Sequence, residues 1–241
     1  TGSLIIHNAH RVLAGEPPVL PEKGDRSRDF YFFGTKTPEE CTDLLVKIVT
    51  ERIPEIFGYD WMEDVQVLAP IYKGACGVDI LNTRLREALG FGGKQLERGD
   101  KVWRIGDRVI QTRNDYDKEV FNGDLGRIVE VDEKAGLVVR FPERDASYAL
   151  TELGDLSPAY AITIHRSQGG EYPVVVLPMV TQHFVMLQRN LLYTAITRAQ
   201  KLVVVVGSRR AMEIAIGNTE QAKRTSHLAA RLKELAPTPP S

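Results

Sequence analysis

The chain has 241 residues, 43% of them hydrophobic, enough for one large core or two smaller ones. Its 31 basic and 32 acidic residues nearly cancel, so bulk charge supplies no attraction to a polyanion, and any grip on nucleic acid must come from clustered side chains. No apolar run approaches the ~18 residues of a membrane span, and no signal peptide opens the chain. Cys41 and Cys76 lie far apart without a CxxC pair, which implies no disulfide framework and no zinc site and suits a reducing cytoplasm.

The chain starts Thr1–Gly2–Ser3 without methionine and reads as a piece of a longer protein. Residues 1–28 read as mixed, with Pro17, Pro18 and Pro21 marking an irregular segment. Asp29 to Phe33 is a short aromatic run that predicts a strand. A helix follows. Thr37 is placed to cap it, Pro38 stands at its first position, and Glu40 falls three residues after the cap. Leu44, Leu45, Ile48, Val49 and Arg52 continue at helical spacing, and Pro54 predicts the end. Val65 to Ala69 predicts a strand. A helix from about Gly77 to Leu89 carries Ile80, Leu81, Leu85 and Leu89 on one side.

The pattern changes between Glu97 and Leu156. Short alternating runs (108–111, 126–131, 137–141) are separated by turn residues such as Asn122–Gly123–Asp124, which predicts a small barrel. Helix–strand rhythm then returns: strand 174–177, a helix over about 187–199, strand 202–206, a helix from Arg209, and a last helix over about 220–235 before a Pro-rich tail. The fold class is α/β: a parallel sheet covered by helices on both faces, interrupted by the barrel. The expected domains are 1–97, 98–156 for the insertion, and 157–241.

Two stretches carry chemistry. In the first, 159–171, a strand runs into Thr163-Ile164-His165-Arg166-Ser167-Gln168-Gly169-Gly170-Glu171. Thr163 and His165, two apart on an extended segment, can reach one phosphate or base. Gly169–Gly170 lets backbone approach a ligand, and Glu171 can accept from sugar hydroxyls. Taken singly, these residues also read as a Gly-Gly turn with a satisfied histidine. The second stretch is Tyr193-Thr194-Ala195-Ile196-Thr197-Arg198, an apolar helical stripe ending in a cation. Arg198 reads either as a helix-terminal charge or as a guanidinium that stabilises phosphoryl transfer. A third segment, 68–77, runs strand, Pro70, Tyr72, Lys73 and glycines into a helix carrying Asn82. The N–H groups at that helix start are candidates for a phosphate. A fourth, 106–126, includes Arg113, Asn114 and Tyr116, which serve either a nucleic acid or barrel turns.

Together these strings resemble motifs of the superfamily 1 DNA helicases, most closely the RecD-like branch. The first matches Thr-x-His…Gln-Gly-x-Glu and the second Tyr-x-Ala-x-Thr-Arg. The resemblance implies a RecA-like motor domain 2A with an SH3-like barrel 2B. It implies that Arg198 meets the ATP γ-phosphate as the catalytic arginine, with Gly170 and Glu171 beside the nucleotide. It implies DNA contacts at Pro70, Tyr72, Lys73, Asn82, Arg113, Asn114, Thr163 and His165. No GxxxxGK[ST] occurs, since Ala88 precedes Gly92-Gly93-Lys94-Gln95 where a first Gly would stand, and no Asp-Glu pair follows an apolar strand. ATP and Mg²⁺ are therefore expected mainly on an N-terminal RecA-like domain outside this sequence.

The expected function is the C-terminal half of a cytoplasmic, monomeric, ATP-dependent 5′-to-3′ helicase acting on single-stranded DNA and duplex junctions. The alternatives are the helicase part of a conjugative relaxase, and a nucleic-acid-binding α/β module without a motor.

Overall fold

The computed structural model describes residues 2–90, 94–99 and 101–219; the expected last helix falls outside them, as do Gly92 and Gly93. Five strands form a parallel sheet in the order β1-β12-β11-β2-β10: Phe30–Gly34 (β1), Val65–Ala69 (β2), Ala161–Thr163 (β10), Tyr172–Met179 (β11) and Ala199–Gly207 (β12). Alternation sorts their side chains. Val175, Leu177, Val203 and Val205 point to one face, with helices Leu4–Ala14 (α1), Arg189–Ile196 (α5) and Arg209–Gly217 (α6) packed in the same core. Val174, Val176, Val204 and Val206 point to the other, under Pro38–Lys47 (α2) and Val78–Ala88 (α4). Burial on both faces explains why the central strands read as near-continuous runs of valine.

The structure adds one element to the mixed segment and corrects two local readings. Residues 4–14 are helical, with Ile5, Ala9 and Val12 buried and Gly15 closing the helix at φ 84°. Buried Asn8 holds the returning chain through both the N–H and the carbonyl of Val19, at 2.7 and 2.8 Å. Pro54 does not end the second helix. A π-helical turn, Ile48–Arg52, follows α2, and Ile53 N–H donates to Ile48 O across the wider loop. Pro54 then sits in the first turn of Ile53–Phe57 (α3), where its missing N–H is not required, and Gly58 at φ 72° makes the stop. Ile80 is exposed rather than on the buried side of α4. The Thr37 cap is formed as the sequence predicts: its hydroxyl accepts from Glu40 N–H at 3.1 Å, with Pro38 at the first position.

Between α4 and β10 the chain makes antiparallel structure. Gln95–Arg98 (β3) pairs with Lys101–Arg104 (β4). Arg108–Gln111 (β5), Leu125–Asp132 (β6), Gly136–Arg140 (β7), Asp145–Tyr148 (β8) and Leu156–Pro158 (β9) form a second sheet in the order β8-β7-β6-β5-β9. Their core contains Trp103, Val109, Ile128, Val139, Tyr148 and Leu156. Gly126 is required here, because a Cβ would sit 2.5 Å from Val139 Cγ1.

Polar anchors fix this unit to the parallel sheet. Arg108 donates to Val65 O at 2.7 Å and Gln66 Oε1 at 2.8 Å, and its burial lowers the pKa of the guanidinium. Gln66 in turn donates to Ala159 and Tyr160 carbonyls. Asp107 gathers Arg86, Arg104 N–H and Tyr160 OH within 2.9 Å. Burial, then the Asp107 charge, pushes the Tyr160 phenol far up, which keeps it a neutral donor.

Candidate functional site

In a parallel sheet, the loops beyond the carboxyl ends of the strands share one edge. Thr163 ends β10 directly opposite Ala69, the last residue of β2. The turn beginning at Pro70 and the Thr163–His165 segment therefore emerge side by side. The extended geometry expected for the latter is replaced by a 3₁₀ turn, Ile164–Ser167, which the Thr163 hydroxyl caps by accepting from Arg166 N–H at 3.3 Å. His165 is exposed and lines a cleft of about 500 Å³ with Asn122, Gly123 and Asp124 of the barrel and with 168–170.

The turn 70–77 is tightly built. Val78 and Asp79 N–H donate back to Ile71 and Tyr72 carbonyls at 3.2 and 3.1 Å, and Ile80 N–H is taken by Asp79 Oδ1 at 2.8 Å. The N–H groups expected to hold a phosphate are thus already satisfied within the chain. Side chains are what this turn offers: Tyr72 is 46% exposed and Lys73 is exposed, whereas Pro70 is buried. His183 supports the turn from the 3₁₀ segment Thr181–Met186. Its Nε2 meets Ala75 O at 2.7 Å, while Nδ1 is buried without a partner. Burial holds this imidazole below its usual range.

Asn82 is placed differently from expectation. It is only 6% exposed, and its amide faces inward. Oδ1 accepts from Ala161 N–H at 2.9 Å, and Nδ2 donates to the carbonyls of Ala161 at 2.9 Å and Pro158 at 3.3 Å. β10 is an edge strand with β2 on one side only. Asn82 therefore supplies the hydrogen bonds of a missing neighbour strand and has no donor left for DNA. The Arg113 side chain is 69% exposed and pairs with Asp155 at 2.7 Å. Asn114 accepts from Asn122 N–H at 2.9 Å and so braces the turn beside the His165 cleft. Tyr116 and Phe121 stack edge-on at 6.0 Å on the same loop.

The loop after Ser167 descends to the opposite end of the sheet, where β11 begins. Thr163 is level with Pro178 by the register, six residues beyond Tyr172, or about 20 Å at ~3.3 Å per residue. Here Gly170 O accepts from Arg198 Nη1 at 3.1 Å, and Tyr172 N–H donates to Arg198 O at 2.9 Å. Arg198 follows the end of α5, is half-buried, and its Nε is buried without a partner. Glu171 is exposed and held by Gln200 Nε2 at 3.0 Å. A Cβ at Gly170 would meet the Tyr172 hydroxyl at 2.8 Å, so a larger residue here would have to displace that ring. The sequence reading missed His183, Asp107 and Arg108. A buried His and a basic residue opening a strand have no distinctive spacing, so nothing short of the fold marks them.

Among the described residues, no helix is long and apolar enough to cross a membrane. Two family models match the chain: the UvrD-like helicase C-terminal domain over residues 158–206, and the ATP-dependent RecD-like DNA helicase SH3 domain over 81–141. The chain is 41% identical over 226 residues, 93% of its length, to the ATP-dependent RecD2 DNA helicase of Deinococcus radiodurans. It is 32% identical over 176 residues, 71% of its length, to the RecBCD enzyme subunit RecD of Mycolicibacterium smegmatis. It spans 29% and 30% of those two relatives. In fold it is similar to a Bacteroides Pif1 helicase solved with ADP-AlF3 and ssDNA, with a TM-score of 0.52 at 15% identity, covering 98% of this chain and 55% of that one. The chain belongs to the RecD-like superfamily 1 helicases, of which it carries the C-terminal motor region with its SH3-like insertion.

Proposed function

We propose that this chain is the C-terminal motor half of an ATP-dependent 5′-to-3′ DNA helicase, which moves along single-stranded DNA and opens duplex junctions as a cytoplasmic monomer. The observation that carries the reading is the path of residues 163–171. One short segment starts beside the turn 70–77 at one edge of the sheet and ends against Arg198 at the other. A site that feels the strand is thereby joined to one that feels a nucleotide, the connection a motor needs. The matched relatives named as RecD helicases favour this over a relaxase or a motor-free binding module.

ATP with Mg²⁺, held mainly by an N-terminal RecA-like domain, supplies the free energy of γ-phosphate transfer. Residues of this chain fit the nucleotide side. Arg198 retains an unpartnered buried Nε, and its planar cation suits charge spread over phosphoryl oxygens. Gly170 keeps the backbone approachable, and Glu171 offers an exposed carboxylate for sugar hydroxyls. On the strand side, Tyr72, Lys73, Thr163, His165, Arg113 and Asn114 present side chains to DNA. Pro70 and Asn82 serve from beneath, as supports of the turn and of β10. These contacts go to backbone and base faces rather than base edges, which suits a motor that accepts every sequence.

The test is the Thr163→Ala, His165→Ala double variant in the complete protein. Fluorescence anisotropy should show weaker binding to poly-dT and to mixed sequence alike, and ATP hydrolysis should lose its stimulation by DNA. Unchanged affinity for both strands in a normally folded variant rejects the DNA role.

A further inference from the structure

Cys41 and Cys76, remote in sequence, meet in the fold. Both are wholly buried and belong to one core cluster. Cys76 Sγ lies 3.1 Å from Pro38 O and 3.2 Å from Thr42 Oγ1. Pro38 and Thr42 are on the turn of α2 that carries Cys41, so Cys76 packs against the helical turn from which Cys41 projects. Cys41 Sγ is itself anchored to Val206 O at 3.2 Å.

We propose that Cys41 and Cys76 are a reversible disulfide-forming pair, oxidised by peroxide. The Cys76 thiolate attacks one peroxide oxygen. The O–O bond breaks, hydroxide leaves and is protonated to water, and Cys76 becomes a sulfenic acid. The Cys41 thiol then attacks that sulfur, giving up its proton as the S–S bond forms and the S–O bond breaks. The departing hydroxide takes up a proton as water. Two thiols and one peroxide thus give one disulfide and two waters, with both sulfurs oxidised and the peroxide reduced.

The order of attack follows from the surroundings. The neighbouring Cys41 thiol, aided by Thr42, pulls the Cys76 thiol below its usual range against the effect of burial. The proximity of Cys76, then burial, pushes Cys41 up. Cys76 also lies in the turn 70–77, whose residues Tyr72, Lys73 and Gly74 are exposed. Its φ of 55° is in the left-handed region that side chains disfavour. For a small oxidant to reach it, the hydrogen bonds of that turn, such as Gly77 N–H to Gly74 O, must part. The bond would tie the turn to α2.

The test treats the folded full chain with hydrogen peroxide, blocks remaining thiols with iodoacetamide, and reads intact mass and digested peptides. Both thiols should disappear together in a monomer, a Cys41–Cys76 cross-linked peptide should appear, and dithiothreitol should restore both. With Cys41→Ser, Cys76 should stop at a sulfenic acid trapped by dimedone; wild-type mapping decides the matter if that variant does not fold. The proposal is overturned if both thiols survive in the folded chain but oxidise in urea. It is equally overturned by Cys76 passing to sulfinic acid without Cys41, or by cross-links between chains.

Discussion

Replacing Asn82 tests whether a side chain can stand in for a strand. In Asn82→Ala, the Ala161 N–H loses its acceptor at a position with no solvent access. A stranded buried donor costs about 1–3 kcal/mol. The carbonyls of Ala161 and Pro158 also lose a donor each, at about 0.5–1.5 kcal/mol per bond, less where water reaches half-buried Pro158. The sum is about 2–4 kcal/mol, a large share of the ~5–15 kcal/mol that holds a typical domain. For a chain of this size that is a fall in melting temperature of about 4–16 °C. Asn82→Asp should be no better, because it keeps an acceptor for Ala161 N–H but turns a buried carboxylate toward two carbonyl oxygens. Thermal melts by circular dichroism give the stability, and hydrogen exchange should show the loosening centred on 158–163. A loss below about 1 kcal/mol refutes the strand-substitute argument. Weakened DNA binding at full stability would instead return Asn82 to the DNA surface.

Arg198→Ala in the complete protein should cut hydrolysis by about 10³–10⁵-fold, or about 4–7 kcal/mol of transition-state stabilisation, with ATP binding kept within a few fold; hydrolysis near wild type makes Arg198 a helix-terminal cation only. This chain by itself should release no phosphate from ATP above background with or without single-stranded DNA, because its 241 residues contain no GxxxxGK[ST]; DNA-stimulated turnover would overthrow that. Burial lowers the pKa of His183 in the folded chain, so the unfolded chain binds the extra proton first. The stability this contributes is complete above about pH 6.5 and is lost as pH falls toward the native value. Urea midpoints at pH 7.5 and 5 should differ in that direction, and His183→Gln should flatten the difference; an equal slope in the variant assigns the pH effect elsewhere.

The layers of this fold were legible because burial writes them directly into the chain. Valine runs at 174–177 and 202–206 mark strands covered on both faces, Thr37-Pro38-x-Glu40 marks a helix start, and turn residues between short runs mark the barrel. The helicase strings were legible for a related reason: Thr163 to Glu171 and Tyr193 to Arg198 keep polar types at fixed spacing where packing alone asks for none. What the sequence could not decide depends on which remote groups share a space. Asn82 looks like a surface amide until β10 is seen to lack a neighbour on one side. The N–H groups of α4 look free until the turn before it folds back on them. Pro54 looks like a stop until a π-turn removes the need for its N–H. Cys41 and Cys76 look unrelated until α2 and the turn 70–77 press them together. Periodicity records how each residue meets the core, but hydrogen-bond partners are set by tertiary proximity, and a satisfied polar group leaves no periodic signal.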